Sequence, residues 1–229
     1  WSSDVCSSDL FCFSCRKPTG SKVSGYVASS LRPDAEEETK VVLPSDVTQN
    51  YPEHAVAWCN KYDITVEQML QNNMVYSKWK DQLIFTWYDD SNKLLAYQAR
   101  NLNAVSKAKR YYTCGDVNNL LPIYPCRSGS INARRLVLVE DCLSAIKISY
   151  TEGLGCSSMP LLGSGISRTK LSRLRPFYDL LDVFLDPDMW HKSLNIVKQA
   201  QMLGFQARAV QSDRDPKEHD YLSLTELLK

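Results

Sequence analysis

No apolar run in this sequence approaches the ~20 residues that a bilayer-crossing helix needs. Nor does charge of one sign dominate. Lys and Arg number 27 against 26 Asp and Glu, a formal net charge of +1. A globally basic nucleic-acid binder is therefore excluded, and any such binding must come from a local patch. The first residues lack a basic segment followed by an apolar one, so a secretory route is not expected. Internal repeats and low-complexity segments are absent too. What remains is ordinary for a soluble globular protein: 44% hydrophobic and 23% charged residues over 229 positions. That length suffices for one large domain or two small ones.

Cysteine is plentiful by comparison, with eight residues: Cys6, Cys12, Cys15, Cys59, Cys114, Cys126, Cys142 and Cys156. Without a secretory signal these read as reduced thiols of a cytoplasmic protein rather than a disulfide framework. Ser2-Ser3-Asp4 and Ser7-Ser8-Asp9 repeat within ten residues, which resembles a translated sequencing adapter. Residues 1–10 are accordingly expected to be non-native, and the chain to be truncated at its start. Cys12 and Cys15 then form a C-x₂-C knuckle, but a structural zinc needs four ligands, usually two such pairs. Half of a zinc site is the reading, with no complete site expected in this chain. Residues 16–50 are polar and turn-rich and carry Glu36-Glu37-Glu38, as a linker would.

Two stretches dominate the second half. Leu136–Val139 is an apolar strand that ends in Glu140-Asp141, and Leu181–Leu185 ends in Asp186-Pro187-Asp188. Each precedes a helical pattern, the signature of parallel strands in βαβ units. Residues 158–162 and 205–210 supply two further strands, with Ser167 capping a basic helix between them. Functional groups collect at the carboxyl ends of such strands. Three carboxylates delivered to one edge suit Mg²⁺, which takes hard oxygen ligands and keeps several waters. Asp215, in the loop before a final helix over 221–228, adds a fourth acid. Asp141 reads as the N-cap of the helix after it, Asp182 as a structural acid and His191 as a surface residue.

Upstream, residues 51–73 predict two short helices, the second opened by Thr65 with Gln68 as a capping box. Residues 82–88 and 94–100 predict a hairpin, and 110–113 a third strand. Arg100, Lys107, Lys109 and Arg110 gather here, interleaved with Tyr97, Tyr111 and Tyr112. Cations among aromatics suit phosphates and stacked bases. A solvated sheet edge would have the same composition.

The order of these motifs resembles the Toprim domain of bacterial-type and phage primases, with Glu140 at the first strand end and Asp186-Pro187-Asp188 at the third. Arg214-Asp215-Pro216-Lys217-Glu218 is similar to a third acidic segment of phage primase-helicases, and the hairpin to the basic subdomain of primase cores. Asp141 stands where Gly is frequent, and Ser144 where an acid is frequent. The resemblance implies an α/β fold: a Rossmann-like four-stranded parallel sheet plus a smaller mixed α+β basic subdomain. It implies a zinc-ribbon remnant and linker over 11–50, a basic subdomain over 51–130 and a Toprim domain over 131–229.

The function so implied is synthesis of short RNA primers on single-stranded DNA during phage replication. Nucleoside triphosphates are the substrates and a fused or separate helicase the partner. Two divalent ions, Mg²⁺ or Mn²⁺, would serve the transfer, held by Asp186, Asp188 and Asp215. Glu140 would join them or assist proton transfer. Zn²⁺ would belong to the full-length protein only. Arg100, Lys107, Lys109, Arg110 and Tyr111 would face template, primer or nucleotide. The alternatives are a non-catalytic recombination mediator, a response-regulator receiver, and a truncated fragment that binds but synthesises nothing.

Overall fold

The computed structural model describes residues 40–104, 106, 110–127, 134–163 and 165–229. Cys12 and Cys15 lie outside the described residues, as do Lys107 and Lys109. Among the described residues no helix is long and apolar enough to cross a membrane.

The chain first builds an antiparallel sheet of five described strands in sequential order. They are β1 (Val47–Thr48), β2 (Val75–Ser77), β3 (Gln82–Tyr88), β4 (Leu94–Asn101) and β5 (Tyr111–Gly115). The predicted hairpin and third strand are its last three members. Asp89 makes the hairpin turn, accepting from the amides of Ser91 at 2.9 Å and Lys93 at 2.8 Å, the Asx geometry that turns favour. β1 and β2, at two and three residues, are too short to show a period-2 pattern in sequence.

Two helices precede β2, α1 (Glu53–Asn60) and α2 (Val66–Gln71). α2 begins with the predicted capping box: Thr65 Oγ1 accepts from the Gln68 amide and the Gln68 side chain accepts from the Thr65 amide. This satisfies two donors that a helix start leaves orphaned.

The second sheet has four described strands, all parallel, in the order β7-β6-β8-β9. They are β6 (Arg135–Val139), β7 (Ser157–Pro160), β8 (Leu180–Val183) and β9 (Gln206–Ala209). Crossovers run through α3 (Cys142–Tyr150), α4 (Arg168–Leu174) and α5 (Trp190–Met202), and α6 (Tyr221–Leu228) closes the chain. Asp141 caps α3 and Ser167 caps α4, as the sequence suggests, and Asp220 caps α6.

Alternation along β6 explains the layering. Val137 and Val139 join α3, Phe85 and Trp87 in one apolar cluster shared with the antiparallel sheet. Leu136 and Leu138 point the other way, into a cluster with Leu171 of α4 and Ile196 and Ala200 of α5. A strand buried on both faces reads as a continuous apolar run, as Leu136–Val139 does. Because β7 lies on one side of β6 and β8 on the other, the chain reverses its winding at β6. The crevice outside such a switch point is where open α/β sheets hold ligands.

Asp182 of β8 is buried, at 4% exposure. It is neutralised on both sides, accepting from Arg135 Nε at 2.6 Å and Arg208 Nε at 2.6 Å. Arg208 is its direct neighbour across β9. Asp182 is thus a structural acid and takes no part in the crevice. His191 is exposed at the start of α5.

Candidate active site

Glu140 leaves the carboxyl end of β6, and Asp186 follows β8 after Phe184 and Leu185, so the strand pairing sets the two acids side by side. Pro187–Met189 forms a 3₁₀ turn that carries Asp188. All three line one cleft of about 720 Å³. Asp186 Oδ1 is buried and has no hydrogen-bond partner. Burial first, then the charges of Glu140 and Asp215, push its carboxyl up to about 7. Glu140 is also raised, mainly by burial, with Lys192 opposing and Asp141 and Asp188 adding to the shift. For both carboxylates, burial and neighbouring acids outweigh the lysines that oppose the shift.

Among the described residues, no three His, Cys, Asp or Glu side chains are gathered closely enough to cage a metal ion. The donor set nevertheless fits Mg²⁺. It consists of hard oxygens, one of them orphaned and buried, around an open cleft with room for the waters that this ion retains.

The other acids are already engaged. Asp141 Oδ1 accepts from the amides of Leu143 at 2.9 Å and Ser144 at 3.1 Å. Asp141 Oδ2 accepts from Ser144 Oγ at 3.2 Å and Lys217 Nζ at 2.8 Å. Asp215 Oδ2 accepts from the same Lys217 Nζ at 2.7 Å. Asp215 lines the cleft, yet the oxygen expected to face a metal ion faces an ammonium group. Lys217 is only 13% exposed, and despite burial its two carboxylate partners hold its ammonium group well above the usual range. Its link to Asp141 could not be read from the sequence, because the two lie 76 residues apart.

The opposite wall is the inward face of the antiparallel sheet. Gln98 and Arg100 alternate onto that face along β4, and their direct partners on β5 are Thr113 and Tyr111. The Arg100 guanidinium lies 4.9 Å from the Tyr111 ring centroid and 5.3 Å from that of Trp58. Its Nε is buried without a partner. Trp58, on α1, escaped sequence reading because nothing local ties it to Arg100. Arg110 also lines the cleft. The expected residues Glu140, Asp186, Asp188, Asp215, Arg100, Arg110 and Tyr111 therefore share one cavity.

A further wall comes from the turn after β7. Leu162 adopts φ 55° and Gly163 φ 144°, and both border the cleft. A branched residue held in the left-handed region is strained, and such strain clusters at functional sites.

The acids at the switch point thus face a cationic, aromatic sheet wall across one cleft. Solved structures with this fold are bacterial and phage primase catalytic cores. The DnaG primase catalytic domain bound to single-stranded DNA matches at TM-score 0.59 and 12% identity, over 78% of this chain and 72% of that one. The primase fragment of the bacteriophage T7 primase-helicase protein matches at TM-score 0.56 and 14% identity, over 95% and 88%. The Aquifex aeolicus primase, comprising zinc-binding and RNA polymerase domains, matches at TM-score 0.53 and 13% identity, over 80% of this chain. The present chain spans 50% of that protein's length. No protein-family model matches the sequence, and no curated protein resembles it by sequence. The likeness is one of fold.

Proposed function

We propose that this chain is the catalytic core of a DNA primase, which makes short RNA primers on single-stranded DNA from nucleoside triphosphates. The observation that carries this reading is the cleft. The carboxylates of Glu140 and Asp186 share a cleft of about 720 Å³ with Arg100, Arg110 and Tyr111, within a fold shared with primase catalytic domains. In this reading 131–229 is a Toprim domain and 51–130 its basic subdomain. Cys12 and Cys15 are what remains of a zinc ribbon that binds Zn²⁺ in a longer protein. The cellular setting is phage DNA replication in the host cytoplasm, beside a fused or separate helicase.

The chemistry follows from where the charges sit. Glu140, Asp186 and Asp188 would hold Mg²⁺, or Mn²⁺. The bound ion supplies a lowered hydroxyl pKa and neutralises the pyrophosphate leaving group. Glu140, half-buried and raised, would join in holding the ion or else accept the proton of the attacking 3′-hydroxyl. Arg100 offers a guanidinium packed near two rings, and its planar donor fork suits a phosphate. Arg110, with Lys107 and Lys109 nearby in sequence, extends this cationic wall toward the template. Tyr111 packs beside Arg100 and would offer a base a ring to stack on.

Incubating the chain with single-stranded DNA, labelled nucleoside triphosphates and Mg²⁺ tests the reading. Template-dependent oligoribonucleotides that vanish with EDTA are expected. A chain that makes none, and binds single-stranded DNA no better than duplex DNA, is instead a binding protein of another kind.

A further inference from the structure

Lys217 borders the cleft with its side chain 13% exposed, held between two of the acids there. Its Nζ lies 2.8 Å from Asp141 Oδ2 and 2.7 Å from Asp215 Oδ2. It therefore sits between two acids from separate loops, as a bridging divalent ion would. Asp141 has no capacity left, since a carboxylate offers about four lone-pair sites. Its Oδ1 takes two amides and its Oδ2 takes Ser144 Oγ and Lys217 Nζ.

Lys217 is not a loosely tethered surface lysine. The fully buried Lys147 of α3, at 1% exposure, donates to the Lys217 carbonyl at 3.0 Å and to Asp63 Oδ2 at 2.8 Å. Pro216 begins the 3₁₀ turn on which Lys217 sits and is itself buried. The Tyr62 ring lies 5.9 Å from Nζ. Backbone and side chain are thus both fixed from within the core.

We propose that Lys217 is a built-in substitute for a second metal ion, so the cleft binds one divalent cation, at Glu140, Asp186 and Asp188, rather than two. This rests on the primase reading above for the first ion. It replaces the two-ion arrangement expected from sequence with one mobile ion and one covalently attached charge. Lys217 is in these terms a positioning and specificity-determining residue. It fixes Asp215 and the α3 N-cap and keeps a second ion out.

Mn²⁺ binding, followed by loss of the free-ion paramagnetic resonance signal, reads this directly without any turnover. Carboxylate oxygens suit Mn²⁺, whereas thiolates favour softer metals. The chain should take up one Mn²⁺. Lys217→Ala and the bulk-preserving Lys217→Met should each take up two, and Lys217→Arg one. Thermal melting checks that each variant is folded, and the count for the unsubstituted chain stands without any variant. Two ions on the unsubstituted chain, or one on both folded neutral variants, would overturn the proposal while leaving the metal site intact. No ion on the unsubstituted chain would overturn the metal site itself, and this inference with it.

Discussion

Arg100 and Tyr111 are direct cross-strand partners, and the guanidinium packs 4.9 Å from that ring centroid and 5.3 Å from the Trp58 centroid. Pairing across an antiparallel ladder brings such side chains within ~5.5 Å before any further packing. The stack holds a cation rigid at the cleft wall, which makes Arg100 the side chain whose removal is most informative. Arg100→Ala should weaken single-stranded DNA binding by about 1–2 kcal/mol and flatten the dependence of log K on log salt by about 0.7. Arg100→Lys should restore the slope but only part of the affinity, because an ammonium does not stack as a plane. Fluorescence anisotropy over a salt series measures both. An unchanged slope for the Ala variant places the nucleic-acid path elsewhere.

The register that sets this pair ends at Gly115, whose φ is 95°. A Cβ there would meet Leu95 O at 2.5 Å and the Ala96 Cα at 2.8 Å, both backbone. Gly115→Ala should lower stability by about 2–3 kcal/mol in urea titrations, because neither contact can yield and the conformation is itself unfavourable. A loss below about 0.5 kcal/mol would mean that β5 shifts freely against β4.

Stability should also depend on pH through Asp186. Its carboxyl is raised from 3.8 to about 7 in the folded state, chiefly by burial. The folded protein therefore binds more protons than the unfolded chain between these values, and stability falls as pH rises through that window. Above pH 7 the ionised group carries its full penalty, and below about pH 4 it carries none. Asp186→Asn should thus raise the melting temperature of the metal-free protein at pH 8 by about 3–6 °C, equivalent to about 1–2 kcal/mol after discounting for partial exposure. The gain should shrink toward pH 4. Added Mg²⁺ should stabilise the unsubstituted chain but not the variant. A variant less stable at pH 8 than the unsubstituted chain contradicts the sign.

Asp182 offers a contrast, as an acid of the same sheet with a purely structural role. It is buried between Arg135 and Arg208. Asp182→Ala leaves a largely buried guanidinium unpaired, so it should cost about 3 kcal/mol and on the order of 10 °C in melting temperature. Below its own transition the variant should keep the DNA affinity of the parent. Loss of binding in a still folded variant would tie β8 to the cleft more tightly than the ion pairs suggest.

Local signals made much of this fold legible. The helix over 221–228 has the bounds expected of it, and it is a local element opened by the Asp220 cap. The Thr65–Gln68 box and the Asp141 cap were readable for the same reason: each is settled within four residues of chain. Acid at the ends of two apolar runs foretold a parallel sheet with carboxylates on one edge. β1 and β2 were invisible, since two or three residues show no alternation and their pairing depends on β3. Trp58 and Lys217 were missed because their significance lies wholly in tertiary contacts, with Arg100 in one case and with Asp141 in the other. Lys217 stands in the same motif as Asp215, but that spacing alone does not show whether the ammonium folds back onto the acid. Asp215 therefore looked like a ligand in sequence and stands beside an ammonium group in space.

The most direct test of the primase reading is primer synthesis by Asp186→Ala beside the unsubstituted chain. Both are supplied with single-stranded template, nucleoside triphosphates and Mg²⁺, and melting curves are taken on the same samples. Asp186 holds a buried, unpartnered oxygen and makes no hydrogen bond that the fold requires. The expected result is template-dependent oligoribonucleotide from the unsubstituted chain, none above background from the variant, and a variant melting temperature equal to or higher than the parent's. Equal synthesis by the two proteins would contradict the reading, because catalysis would then not pass through this cleft.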